Sequence, residues 1–132
     1  MSRGELRYPS VEVLVSINRM AIESVRVRKA DRHEVYSKEA LQRLLGEVQD
    51  TPGDVFDKAV VLLSGLLGRH FFASANRRTA FIATSVFLFT NGVEKTVPPD
   101  PRVLQGIREG FYDRDEMKSW LKDSEIRAFQ RG

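Results

Sequence analysis

Two almost wholly apolar stretches, Val55–Leu67 and Ala80–Phe89, constrain the fold of this chain more than any other feature. A helix that is apolar nearly all round is buried, so both stretches are expected to form central helices. The joint between them, His70–Arg78, carries a His, an Asn and two Arg within nine residues. Because buried charges are tolerated only when they are paired, these cations at the mouth of a buried helical hairpin predict that an anion binds there.

The remaining sequence predicts an all-α protein of about six helices, folded as a single domain over residues 1–132. The predicted helices are 11–24 after Ser10, an amphipathic helix from Ser37 to Thr51-Pro-Gly, Asp54 to about Arg69, 78–90 with Asn91-Gly92 as an αL C-cap, Asp100-Pro101 to Gly110, and a last helix from Asp113 with Glu116 in a capping box. Arg26–Tyr36 is predicted to be a loop or a short hairpin, and residues 125–132 are expected to fray.

The composition excludes several classes of site and location. The chain has no Cys, so disulfides and thiolate metal sites are excluded. Its apolar runs fall short of the ~20 residues that a membrane span needs, and its N-terminus lacks the apolar core of a signal peptide. We therefore expect a cytoplasmic protein that does not enter a membrane. A net charge of +3 is too weak to indicate direct nucleic-acid binding.

The joint predicts a phosphate-binding site if the second central helix begins near Asn76. The N–H groups of a first helical turn are unpaired and carry partial positive charge, which makes a ready anion site. Arg77 and Arg78 oppose the helix dipole there, so helix stability does not explain them, and Arg matches phosphate geometry. Asn76 could either orient a phosphate or hold the shape of the loop.

Other residues of the joint complete the prediction. His70 is a candidate general base for a hydroxyl that attacks phosphorus. Ser74 and Ala75 are small, so backbone can approach a ligand closely, and Phe72 is predicted to anchor the loop in the core. Alone, a His near a helix end or an Arg pair is usually structural or solvated, and His33 is expected to be solvated. The clustering at a buried hairpin favours a functional site.

The joint resembles a known active-site loop. Its pattern H-x-F-x-x-A-N-x-R-T-A runs from His70 to Ala80 and is similar to the loop of the Fic/Doc (Fido) family, most of all to its Doc, or death-on-curing, toxin branch. The segments that begin at Tyr8-Pro-Ser and at Val86-Phe-Leu also resemble Doc proteins. The final Arg of the broad Fic pattern falls here at Phe81 or Ile82, as in Doc-like loops.

This resemblance implies a Fido fold with the motif loop between two central helices, and transfer of a phosphate-containing group to a protein hydroxyl. Most Fic proteins transfer AMP from ATP, whereas Doc-like proteins transfer the γ-phosphate and inactivate elongation factor Tu at a threonine. Doc is paired with an antitoxin, Phd. The resemblance assigns His70 as general base, Asn76 and Arg78 as phosphate-binding residues, Arg77 in place of the Doc lysine, and Phe72 as the loop anchor.

Ser74 departs from the family pattern, since the family places there an Asp or Glu that binds Mg²⁺. A hydroxyl is a weak ligand for Mg²⁺, so no residue of this chain is predicted as a metal ligand. Either Arg77 could supply charge in place of the metal, or Mg²⁺ could be held by nucleotide and water alone. Three readings stay open. The protein is a Doc-like phosphotransferase that uses ATP or another nucleoside triphosphate, an AMP transferase, or a module that binds nucleotide or a partner without efficient catalysis.

Overall fold

The computed structural model describes residues 5–24 and 34–130, and within these ranges it contains helices and no strand. The helices are α1 (Val11–Ser24), α2 (Lys38–Asp50), α3 (Val55–Gly68), α4 (Asn76–Thr90), α5 (Pro101–Arg108) and α6 (Arg114–Asp123). This confirms the predicted all-α architecture. Helix α4 begins at Asn76, two residues before the predicted range 78–90.

Helix α3 lies at the centre of the protein, as its apolar sequence predicts. It packs against α2, α4, α5 and α6, while α1 packs against α4 and α2. Side chains from all six helices form one buried apolar cluster. Helix α4 is less buried than predicted, because its main neighbours, α3 and α1, leave one face uncovered, where Val86 is 43% and Phe89 is 65% exposed.

The predicted helix ends are set by local hydrogen bonds. Asp54 and Asp113 each form a capping box, with Asp57 and Glu116 respectively. Asp100 accepts from two N–H groups at the start of α5. At the end of α4 the left-handed residue is Gly92, with φ of 95°, rather than the Asn before it. These bonds join residues close in sequence, so the sequence alone predicts them.

The described part of the C-terminal segment, residues 125–130, packs against the rest of the protein. Phe129 is buried, and its carbonyl accepts a hydrogen bond from Arg102 at 3.1 Å. The hydroxyl of Tyr112 donates to the carbonyl of Arg127 at 2.9 Å, and the Arg127 guanidinium lies 4.0 Å from the ring centre of Phe111. Residues 125–130 therefore pack on α5 and on the turn after it. This segment is not helical, and apolar burial and side-chain hydrogen bonds hold it in place.

The predicted loop 26–36 lies mostly outside the described residues, as does His33. Its last three residues, 34–36, run beside the loop between α3 and α4. No helix in the described ranges combines the length and the apolar character needed to cross a membrane.

Candidate functional site

The loop between α3 and α4 is held against residues 34–36 by two backbone hydrogen bonds. The N–H of Tyr36 donates to the carbonyl of Phe71 at 2.9 Å, and the N–H of Ala73 donates to the carbonyl of Glu34 at 3.0 Å. The two bonds flank an isolated antiparallel bridge. This pairing keeps the first half of the loop extended.

Phe71 and Phe72 anchor the same half of the loop in the apolar core. Their side chains are 3% and 1% exposed, as predicted for core anchors. Residues on either side of the pair are more accessible. The pair therefore anchors the loop so that its polar residues lie near the surface.

His70 lies at the surface directly after Arg69, the C-cap of α3. Its ring stacks on that of Tyr36, with 5.8 Å between ring centres and 24° between ring planes. Because Tyr36 is itself 55% exposed, the stack orients the imidazole without burying it. The ring is therefore accessible at the surface. Sequence analysis missed Tyr36, which it had placed in a charged loop.

Arg69 is occupied by a partner on α2. Its guanidinium donates two hydrogen bonds to the carboxylate of Glu47, at 2.9 and 3.0 Å. The hydrogen bond from Arg69 lowers the pKa of Glu47. This cation therefore belongs to a surface ion pair and differs from the two Arg residues farther along the loop.

Asn76 closes the loop on itself. Its Oδ1 accepts a hydrogen bond from the N–H of Phe72 at 3.1 Å, and its Nδ2 donates to the carbonyl of Phe72 at 2.7 Å. Of the two roles open for Asn76, this geometry supports holding the loop. One hydrogen of its amide has no partner among the described residues.

The N-terminus of α4 is built unlike the other helix starts in the described part of the chain. Ala75 precedes the helix in the left-handed conformation, with φ of 61° and ψ of 31°, and makes no side-chain capping bond. The other five helices have a Ser or Asp that accepts from first-turn N–H groups. In α4 the first N–H that bonds is that of Thr79, to the carbonyl of Ala75 at 2.9 Å. Three backbone donors before it remain for a ligand.

Arg77 and Arg78 add two positive charges at this uncapped end. Arg77 is exposed and donates to the Gln105 side chain of α5 at 3.1 Å, whereas Arg78 is half-buried. Neither forms an ion pair with a described carboxylate, unlike Arg69, Lys118 and Arg127. Uncompensated cations beside unpaired N–H groups form the electrostatic pattern of an anion site.

A groove opens beside Arg77, with a volume of about 480 Å³. It is lined by Arg77, Pro101, Arg102, Gln105 and Phe129. The groove is continuous with the α4 end through Arg77. Sequence analysis did not anticipate it, because it forms where α5 and the C-terminal segment meet the loop.

Asn18 of α1 is a second residue that sequence analysis missed. It is 2% exposed, and its Nδ2 donates to the carbonyl of Ser74 at 2.9 Å and to the hydroxyl of Thr79 at 3.0 Å. The available signal was a polar residue inside the apolar stripe that contains Leu14 and Ala21. The structure thus brings α1 into contact with both the loop and the first turn of α4 through the Asn18 amide.

The site residues predicted from the sequence lie together around one turn. In chain order they are His70, Phe72, Ser74, Ala75, Asn76, Arg77 and Arg78. The model of the Fic/DOC family matches residues 8–88, which run from just before α1 to nearly the end of α4 and include this turn. The chain belongs to the Fic/DOC family. The comparison with curated proteins gave no match.

Membership of the Fic/DOC family implies a Fido-type transferase. Members of the family generally use nucleotide substrates and act on proteins. Helices α5 and α6 lie beyond the matched residues, so the groove beside Arg77 is formed largely by a part of this Fic/DOC protein that the family model does not cover.

The loop does not fit a protein-held Mg²⁺. Ser74 offers a neutral hydroxyl, whereas Mg²⁺ prefers carboxylate and phosphate oxygens. No group of three or more His, Asp or Glu side chains gathers as metal ligands within residues 5–24 and 34–130. For holding phosphate, this Fic/DOC protein therefore offers the side chains and N–H groups of the loop, without a carboxylate.

Proposed function

We propose that this Fic/DOC protein transfers the γ-phosphate of a nucleoside triphosphate, with ATP as the first candidate, to a Ser or Thr hydroxyl of a protein. One observation carries the proposal: α4 starts without a side-chain cap and with two Arg residues that have no described carboxylate partner. A phosphate supplies the negative charge that this helix end lacks.

In the proposed reaction, a ring nitrogen of His70 accepts the proton of the attacking hydroxyl. The hydroxyl oxygen forms a bond to the γ-phosphorus while the bond from that phosphorus to the bridging oxygen breaks, and a nucleoside diphosphate leaves. The first-turn N–H groups of α4, with Arg77 and Arg78, stabilise the charge on the transferring group. The small Ser74 and Ala75 let the phosphate approach the backbone.

Phosphate transfer is favoured over AMP transfer by the residue after the motif. The broad Fic pattern has a second Arg where this chain has Phe81 or Ile82, in the second turn of α4. The Phe81 ring lies 6.4 Å from the ring of Trp120, centre to centre, and is partly buried against α6. This position supplies no charge for a second phosphate, which supports the Doc-like reading.

The Doc-like reading also predicts a biological role. We propose a cytoplasmic toxin of a toxin–antitoxin pair that modifies a protein of translation, with an elongation factor as the first target to test and a Phd-like antitoxin as partner. The support is the resemblance of the loop and its flanks to Doc proteins.

A second candidate is a Fic/DOC module that binds nucleotide or a partner protein without efficient transfer. Ser74 favours it, because the family's metal-binding carboxylate is absent and a metal normally neutralises the transferring phosphate. AMP transfer, the remaining candidate, differs from phosphate transfer in which phosphate of ATP reaches the protein: the α-phosphate rather than the γ-phosphate.

The test uses ATP labelled with ³²P at either the α or the γ position. The purified protein is incubated with each ATP and with a cell extract, and separately with purified elongation factor Tu. Label that reaches protein from the γ position alone supports the proposal. Label from the α position shows AMP transfer. ATP binding without label transfer establishes the binding module.

His70→Ala is the decisive variant. Removing a general base should lower the transfer rate at least ~100-fold. The melting temperature should change little, because the imidazole is exposed. The matched control is His33→Ala, which should keep the wild-type rate. Equal losses in both variants, or an unchanged rate in His70→Ala, would exclude His70 as the base.

A further inference from the structure

Asn18 is a buried polar residue that the proposed reaction does not use. It lies on the core-facing side of α1, beside Leu14 and Ile17, and is 2% exposed. A buried amide is destabilising unless its polar atoms are hydrogen-bonded. An apolar residue of similar size would continue the stripe of α1, so core packing alone does not explain Asn18.

The amide of Asn18 joins two points of the motif turn. One Nδ2 bonds both the Ser74 carbonyl, at 2.9 Å, and the Thr79 hydroxyl, at 3.0 Å. These acceptors lie on either side of Ala75. They are 56 and 61 residues from Asn18 in sequence, so the contact exists only in the folded protein.

The turn between those two acceptors is one that needs support. Ala75 has φ of 61°, a left-handed conformation that is unfavourable for a residue with a Cβ. Asn76 braces the turn toward Phe72, and Asn18 braces it toward α1. Strained backbone persists only when its surroundings hold it in place.

We infer that Asn18 is a positioning residue that holds the Ser74–Thr79 turn in the shape that binds phosphate. The inference rests on the proposed function for the identity of the ligand, but the contacts that carry it do not involve a ligand. Asn18 acts through the carbonyl of Ser74 and the start of α4, and it touches neither nucleotide nor protein substrate.

The experiment compares two substitutions at Asn18 with a matched control on α4. Asn18→Leu keeps similar volume without hydrogen-bonding atoms, and Asn18→Ala removes the side chain. Thr79→Val removes one acceptor and keeps the bond to Ser74. Thr84→Val is the control, because Thr84 is also buried on α4 but donates only to the carbonyl of Ala80, at 2.8 Å within the helix.

Two quantities are measured for each variant: calorimetric affinity for ATP without metal, and amide hydrogen exchange of peptides covering 70–79 and 114–123. For both Asn18 variants we expect the Kd for ATP to rise roughly tenfold or more and exchange to accelerate in 70–79 alone. Thr79→Val should give a smaller change of the same kind. Thr84→Val should match the wild type in both measurements.

Local and general effects have opposite meanings. Faster exchange confined to 70–79 supports the inference. Exchange that accelerates equally in 114–123 shows a residue needed only for stability and overturns it, as do variants that match the wild type in both measurements. If the Asn18 variants do not fold, Thr79→Val decides by the same criteria. If wild type binds no ATP, the proposed function fails, and the exchange data alone still support or overturn the role of Asn18.

Discussion

The starts of α3 and α4 solve the same physical problem in opposite ways. Each helix leaves unpaired N–H groups and a partial positive charge at its first turn. At α3 the chain supplies its own anions, since the carboxylate of Asp54 caps the helix, Asp57 completes the capping box, and Lys118 pairs with Asp57 at 3.0 Å. At α4 the chain supplies Ala75 and two cations.

The difference shows how to distinguish a structural helix end from a binding one. At α3 the carboxylates of Asp54 and Asp57 pair with backbone N–H groups and with Lys118. The remaining cation of this helix start, Lys58, donates to backbone carbonyls of the segment before the helix. At α4 the described part of the chain supplies neither a capping side chain for the backbone donors nor a carboxylate for the two Arg side chains. Stability alone favours the arrangement at α3, so the arrangement at α4 supports the proposed phosphate site.

The strongest test of this difference removes one cation from the start of α4 and one from the start of α3. Arg78→Met should raise the Kd for ATP by roughly 10- to 100-fold, because a hydrogen bond to a charged group contributes about 1.5–3 kcal/mol. The melting temperature should stay the same or rise slightly, since an Arg at a helix N-terminus opposes the dipole. Calorimetry and thermal unfolding measure the two effects.

Lys118→Met is the control for that variant. Lys118 serves the structural helix end, so its loss should leave ATP affinity unchanged and lower the melting temperature slightly. Equal ATP affinity in wild type and Arg78→Met would show that the α4 end is not the phosphate site.

A second prediction concerns the metal. Ser74→Asp should strengthen binding of ATP about tenfold in the presence of Mg²⁺ and not in its absence, because a carboxylate is the ligand that Mg²⁺ prefers. The same change at the exposed Ser16 of α1 serves as the charge-matched control. If wild type already binds Mg²⁺-ATP tightly and Ser74→Asp changes nothing, the protein holds the metal by another arrangement.

A third prediction sets the two helix starts against each other in stability. Asp54→Ala should lower the free energy of unfolding by about 1 kcal/mol, the usual effect of losing an N-cap. Ala75→Gly should leave that free energy unchanged or raise it by up to ~1 kcal/mol, since Gly relieves the left-handed strain but adds freedom to the unfolded chain. Urea unfolding tests both, and a clear loss in Ala75→Gly would contradict the strain.

The smallest effect is expected in acid. The hydrogen bond from the Asp54 backbone and the Lys118 ammonium lower the pKa of Asp57. A carboxyl with a depressed folded-state pKa contributes stability above its unfolded pKa, about 3.9, and loses it as the pH falls through the folded value. Wild type should therefore lose more stability below about pH 4 than Asp57→Asn does. Parallel acid unfolding curves would rule out this contribution.

Sequence reasoning succeeded where the determining contacts are local. The caps at Asp54 and Asp113 and the helix end at Asn91-Gly92 depend on bonds spanning a few residues, and the sequence predicted them closely. The capping box that Asp57 completes at Asp54 was not predicted. Sequence reasoning was wrong on one face of α4, because burial there depends on which elements become neighbours. Phe129 and Phe89 are both aromatic, yet one is buried and the other is 65% exposed.

The same distinction between local and long-range contacts applies to the candidate site. Its residues, their order and their likeness to the Fic/DOC loop are properties of the sequence. The stack of Tyr36 on His70, the Arg77 contact with Gln105 and the Asn18 bonds are not, because each joins positions far apart in the chain. Local patterns do not encode such pairs.

The sequence by itself determined that two apolar helices flank a polar turn, because helix periodicity, caps and turn residues act over a few positions. It also determined which cations the turn carries. Only the tertiary structure decided that Asn18 braces the turn from α1, through its hydrogen bonds to the Ser74 carbonyl and to the Thr79 hydroxyl. That outcome depends on the packing of α1, α3 and α4 around one core, where hydrogen bonds form between groups that the chain order keeps apart.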